Sequence, residues 1–252
     1  MCHSYAALVL WLLGYPEQAQ QRIEEALSLT QELGHPFSLA YTLSHMAIIH
    51  RLRREAPATY MRAEAIIALS REQGFPFWLT WGTMLRGWAV AQLGHREEGM
   101  ADITEGLAAY QATGAGVLRP TFLGLLAEAY GLGGWATEGL RVLAEAGAVM
   151  DTTGERWWAP ELHRLRGELL LTGAGEDRAD AEACFHQALK VAHRQQAKAQ
   201  ELRAARSLSR LWQRQGKREE ARQLLAERDP LTPAYRRPHR WSPPAERRAG
   251  RG

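Results

Sequence analysis

Along most of this chain apolar residues recur three and four positions apart. "LSHMAIIHRL" (43–52), "LRGWAVAQLG" (85–94) and "LRGELLLTG" (165–173) show the spacing, which places one apolar stripe on an α-helix. Segments 95–113 and 137–150 repeat it and are rich in Ala, Glu and Leu, good helix formers. Alternating strand patterns are nearly absent, so the pattern predicts an all-α chain.

The helices are phased. "TQELGHPFSLAYTLSHM" (30–46) and "REQGFPFWLTWGTML" (71–85) carry the same joint, and Gly34, Gly74, Gly114 and Gly154 are forty residues apart each time. A second series, Ala7, Ala47, Gly87, Ala127, Gly167 and Ser207, keeps that period with small residues throughout. A third runs Ala19, Thr59, Gly99, Gly139 and Ala179. A fixed period of this length predicts stacked repeats. Each unit reads as helix A, a short turn, helix B and a Gly-rich link. The four glycines fall where helix B stops. Pro36, Pro76, Pro120 and Pro160 then open the next helix, where a missing N–H costs little. Small residues midway along helix A let helix B approach closely. The joints predict about six hairpins, at 1–34, 36–74, 76–114, 119–154, 159–195 and 197–228. A small insertion, "AGVLRP", precedes the fourth.

The turn and helix B carry a resemblance. "GYPEQAQQRIEEAL" (14–27), "GHREEGMADITEGL" (94–107) and "GWATEGLRVLAEAG" (134–147) share Gly, a small residue five later, an apolar residue four later and a small residue three later. This resembles the tetratricopeptide repeat, with a unit longer than is usual there and with Arg54 at a turn where the other units have Gly. That family implies a right-handed α-solenoid over 1–228. More narrowly, "LWLLGYPEQA", "QELGHPFSLAYTL", "REQGFPFW" and "ERWWAPELHRLRGELLL" resemble the C-terminal repeats of large bacterial signalling proteins. Such proteins carry a regulatory ATPase ahead of the repeats, often with a class III nucleotide cyclase or a DNA-binding domain before it. The resemblance implies a non-catalytic, cytoplasmic interaction and sensing module with a protein or peptide partner. An upstream ATPase or cyclase module would do the chemistry. This sequence has neither G-x-x-x-x-G-K-[ST] nor a strand followed by G-x-G-x-x-G. A stand-alone peptide-binding adaptor is the alternative; an enzyme with an unrecognised site in the groove is a remoter one.

Charge changes the picture only at the end. The net charge is +3, yet residues 229–252 hold six Arg and two acidic residues, which leaves the body near neutral. That Arg/Pro-rich tail is expected to be disordered, with at most weak, salt-sensitive nucleic-acid binding. It keeps Pro233-Ala234-Tyr235 and then departs from the family pattern, as a frameshift or truncated gene would. At the start, "YAALVLWLLGY" is short and lacks the charged start and cleavage site of a signal peptide, so it is read as a buried first helix. With no polar cap before it, a face carrying Leu8, Trp11 and Leu12 is expected to self-associate or to meet an upstream neighbour. No run is long enough for a membrane span. Two distant cysteines, Cys2 and Cys184, suit a reducing compartment.

Candidate chemistry is sparse. His45 and His50, five apart, do not share a helix face, and His186 and His193 have no third ligand nearby, so no metal or cofactor is expected. Glu24-Glu25 and Glu97-Glu98 fit a solvated helix face. The tryptophans leave two readings open: packing between helices, or a ligand surface, since solenoids bind on the concave face formed by their A helices. If Gly87 faces helix B, its register points Tyr41, Trp81 and Glu161 toward the concavity. The same register selects Ser44, Met84 and Arg164, then Ile48, Trp88, Glu128 and Glu168, with Arg51 a turn further on. Aromatic residues beside Arg and Glu would suit a peptide or small ligand. Glu161, Arg164 and Glu168 could equally form intrahelical ion pairs.

Overall fold

The computed structural model describes residues 2–173 and 177–228. The tail and the expectations placed on it lie outside these. Among the described residues there are twelve helices and no strand: α1 (Cys2–Leu12), α2 (Pro16–Leu33), α3 (Pro36–Leu52), α4 (Ala56–Gln73), α5 (Pro76–Gln92), α6 (Arg96–Ala112), α7 (Arg119–Gly133), α8 (Ala136–Thr153), α9 (Ala159–Thr172), α10 (Arg178–Gln195), α11 (Lys198–Arg214) and α12 (Arg218–Ala226). They pair into the six expected hairpins, a TPR-like solenoid.

The joints are built as the sequence implies. Gly34, Gly74 and Gly154 close α2, α4 and α8 in the left-handed conformation, which glycine adopts without a Cβ clash. Pro36, Pro76, Pro120 and Pro160 sit in the first turn of α3, α5, α7 and α9.

Within a hairpin the small residues set the spacing. A Cβ on Gly87 of α5 would stand 2.6 Å from the carbonyl oxygen of Gly99 on α6, and a Cβ on Gly99 would stand 2.4 Å from that of Gly87. The two backbones touch there. In the fifth hairpin a Cβ on Gly167 would meet the Phe185 ring at 2.5 Å.

Stacking explains the curvature. Odd-numbered helices contact the next odd-numbered helix, whereas each even-numbered helix packs only against its hairpin partner and the helix that follows it. The odd helices therefore form a tight inner layer and the even ones a splayed outer layer. The winding is tight enough that α1 touches α11. One core runs from α1 to α9, and a smaller one around Phe185 and Leu208 joins α10, α11 and α12. Fully buried Trp88, Trp158 and Phe122 anchor the inner layer; burial of a large apolar side chain is worth about 1.5–3 kcal/mol.

This closure covers part of the face expected at the start of the chain. Leu8 and Trp11 are buried, because α1 packs on α3 and meets α11. The exposed apolar residues of the first hairpin's inner helix are Tyr5 and Val9.

Candidate ligand site at the centre of the solenoid

Because the inner layer closes on itself, polar side chains from distant hairpins meet inside it. The first group forms around Glu128 on α7. Trp88 Nε1 donates to it at 3.1 Å and Gln92 Nε2 at 3.2 Å, both from α5, and Arg54 pairs with it from the α3–α4 turn. Trp88 and Glu128 are forty positions apart, so the repeat itself sets them side by side. Arg54 also lies over the Trp88 ring, 5.6 Å from its centroid.

Arg54 holds a left-handed backbone, φ 66°, where the equivalent turns use Gly14, Gly94, Gly134 and Gly216. A non-glycine residue there costs on the order of 1 kcal/mol or more. The chain accepts that strain and gains a guanidinium that reaches across the interior.

The second group centres on α9. Glu161 receives Arg164 Nε at 3.0 Å and Nη2 at 2.7 Å, a two-bond fork with added geometric specificity. Arg203 of α11 donates to the same carboxylate at 2.7 Å. Two turns on from Glu161, Glu168 accepts from Arg164 at 3.1 Å, Ser207 at 2.6 Å and Arg210 at 2.6 Å. Intrahelical pairing is thus present, and α11 completes it.

Electrostatics follow from burial and sign. Burial alone would raise the Glu161 carboxyl, but Arg164 and Arg203 outweigh it and hold it at about 2. Burial likewise opposes ionisation of Glu128, and Arg54 and Arg203 bring it below the usual carboxylate range. Arg164 is raised: its burial is overcome by Glu161 and Glu168. Arg203 is lowered, chiefly by burial. Arg51 is pushed down to about 10, first by burial, which Glu128 only partly offsets.

Two cavities border the cluster, and a third shares none of its residues. One of about 370 Å³ is lined by Arg53, Arg54, Arg164, Arg203, Arg206 and Arg210, with Trp11 and Pro16 on the far side. A second, of about 240 Å³, shares Arg54, Arg164 and Arg210 and adds Glu128, Glu168 and Leu169. A third, of about 230 Å³, is mainly apolar and includes Ile48 and Arg51.

The sequence-selected residues divide accordingly. Ile48, Arg51, Glu128, Arg164 and Glu168 line cavities, and Trp88 and Glu161 hold the charged ones in place. Tyr41, Ser44, Trp81 and Met84 are buried and line none of the three. Met84 packs on the hairpin seam, where a Cβ on Gly106 would stand 2.5 Å from its Cγ; it lies one turn from Gly87 and shares its face. Trp81 packs edge-on to Phe122. Tyr41 stacks on His45, whose ring bonds the Tyr41 carbonyl at 2.9 Å and is held down at about 4 by burial. Sequence reasoning did not select Arg54, Gln92, Arg203 or Arg210. Arg54 had a signal, its place at a glycine turn. Arg203 and Arg210 had none within an Arg-rich helix.

No protein-family model matches the chain. An uncharacterized protein of Rhizobium meliloti (strain 1021) is 26% identical over 205 residues, covering 81% of this chain and 20% of that protein. The chain therefore spans about a fifth of the length of this curated relative. Among solved structures, the apo form of RapI superposes with a TM-score of 0.66 at 11% identity, covering 89% of this chain and 79% of that one. BtubC (BKLC) from P. vanneervenii gives 0.57 at 14% identity, covering 86% and 88%. These likenesses speak to the fold, a helical-repeat solenoid.

Proposed function

We propose that the chain is a non-catalytic interaction and regulatory scaffold. In this reading it is the ligand- or partner-sensing repeat region of a bacterial signalling protein that works with an ATPase, cyclase or DNA-binding module. One observation carries it: hairpins two to six all place a side chain in the central ionic cluster. Arg54, Trp88, Glu128, Arg164 and Arg203 each come from a different hairpin. A ligand that displaced any of them would shift the packing of several repeats at once, and packed interfaces convert small local shifts into discrete rearrangements. The match to a fifth of a longer bacterial protein accords with a part that reports to other parts.

A peptide laid along the concave face, as in a stand-alone adaptor, is less well supported. Side chains from opposite hairpins already meet there, Arg54 on Glu128 and Arg51 on Trp158.

The deciding experiment is the intact mass of the native gene product, with its nucleotide hydrolysis. The expected product is heavier than the 28.3 kDa of this chain and hydrolyses nucleotide at a rate that Glu128→Gln alters. A native product of this chain's own mass, without hydrolysis, overturns the attached-module reading.

A further inference from the structure

The third cavity is lined by an arginine that no carboxylate touches. Arg51 is 4% exposed and makes no ion pair with any described residue. Its Nε and Nη2 have no hydrogen-bond partner among the described residues. The guanidinium lies 4.9 Å from the centroid of the Trp158 ring, which offsets part of its lost hydration and leaves the N–H groups unanswered. A buried charge of this kind costs several kcal/mol unless something pairs with it. The other arginines of the interior, Arg54, Arg164 and Arg203, each have a carboxylate.

The same cavity holds a second orphan, Thr121 Oγ1 on α7, also buried and without a partner. The rest of the wall is mainly apolar, with Ile48, Leu85, Phe122 and Leu125, and it also holds His45. Tyr5 and Val9 of α1 line it as well and are more than half exposed, so the cavity opens beside α1. Leu118 completes the wall. It belongs to the inserted "AGVLRP" link and has a left-handed backbone, φ 63°, with its N–H held by Glu155 Oε2 at 3.0 Å. The late start of the fourth hairpin thus shapes this cavity.

We infer that this cavity binds a small apolar carboxylate, its head on the Arg51 fork and the Thr121 hydroxyl and its hydrocarbon body between α1, α3 and α7. The inference deepens the ligand-sensing reading but concerns only the chain itself. A fork that offers two N–H groups matches a carboxylate. A phosphate would carry further oxygens into a mainly apolar wall, where His45, neutral and with its Nδ1 on the Tyr41 carbonyl, has no N–H left to offer. At about 30 Å³ per water-sized group, 230 Å³ accommodates about eight, which suits a carboxylate with about six carbons enclosed and the end of a longer chain emerging beside α1.

Calorimetric titration of the purified chain with octanoate tests this, with 1-octanol as the uncharged control. The expected result is saturable one-to-one binding of octanoate, at least tenfold weaker binding of octanol, and at least tenfold weaker octanoate binding by Arg51→Met. Thr121→Val should cost about fivefold. Absence of saturable octanoate binding overturns the proposal. So does equal affinity for octanol, or equal affinity in a folded Arg51→Met chain. Should Arg51→Met fail to fold, the comparison of octanoate with octanol in the unaltered chain decides. A heavier, nucleotide-hydrolysing native product that ignores octanoate would leave the sensing role standing and remove this ligand class alone.

Discussion

Arg54 and Glu128 are 74 positions apart in sequence and form an ion pair across the solenoid interior. The arginine occupies a backbone conformation that its counterparts reserve for glycine, so the pair stands against local strain. Arg54→Ala should destabilise the chain by about 1–3 kcal/mol, since it keeps the strain and strips a buried carboxylate of its charged partner. Arg54 is about half exposed, which keeps the cost below that of a fully buried pair. Arg54→Gly should be milder by about 1 kcal/mol, because it releases the strain. Urea denaturation of both variants checks the order; Arg54→Gly less stable than Arg54→Ala would contradict it.

Two helix-interior glycines should respond to alanine with opposite signs. At Gly87 a Cβ would meet Gly99 O at 2.6 Å and Asp102 Cβ at 2.7 Å, whereas at Gly147 on α8 it would meet nothing within 4 Å. Gly87→Ala must push α5 from α6 and should cost about 1–3 kcal/mol. Gly147→Ala should gain about 0.5–1 kcal/mol from helix propensity alone. Thermal unfolding of the two variants side by side tests the contrast, and a stable Gly87→Ala would mean that the close approach is not required.

This contrast shows why the fold was legible. Gly87, Gly99 and the Gly34 series repeat every forty residues because each joint solves the same steric problem, and period is a sequence property. The site was legible only where it also followed the period. Trp88 and Glu128 are one repeat apart and were both selected, as was Arg164. Register alone could not tell how tightly the repeats wind. A gentler curve would leave Trp81 and Tyr41 facing an open groove; here the odd helices press together and both rings are buried. Arg203 reaches Glu161 because α11 stacks beside α9 as each odd helix does on the next, but the pair is 42 positions apart, off the forty-residue register.

Acid should unfold the chain in two stages. His45 is held at about 4 by burial, below its ordinary value near 6.5. Between those values the unfolded chain binds the extra proton, so stability rises with pH there and is lost on acidification from 6.5 to 4. Glu161 is held at about 2 against an ordinary 4.5. Its contribution is present above 4.5 and drains away as pH falls toward 2, as does that of Glu128, which is lowered in the same direction. Chemical denaturation from pH 7 to 3 should show a slope that persists across both windows. His45→Gln should flatten the upper window and leave the lower one; an unchanged upper slope would assign that titration to another group.

The two buried arginines of the inner layer should behave oppositely when made apolar. Arg164 anchors Glu161 and Glu168, so Arg164→Met leaves a buried carboxylate short of its fork and should cost about 3–5 kcal/mol. Arg51 has no ion pair and two unsatisfied N–H groups. Arg51→Met removes a buried charge that no carboxylate contacts and retains a side chain that can fill its place beside Trp158. It should therefore be neutral or stabilising by about 1–2 kcal/mol in the ligand-free chain. A residue that weakens the fold while lining a cavity is what a binding role at the expense of stability produces. Guanidinium denaturation of the two variants checks the opposition. A loss at Arg51 as large as at Arg164 would show that the cation does structural work with the carboxylates, and that its stability cost needs no ligand to account for it.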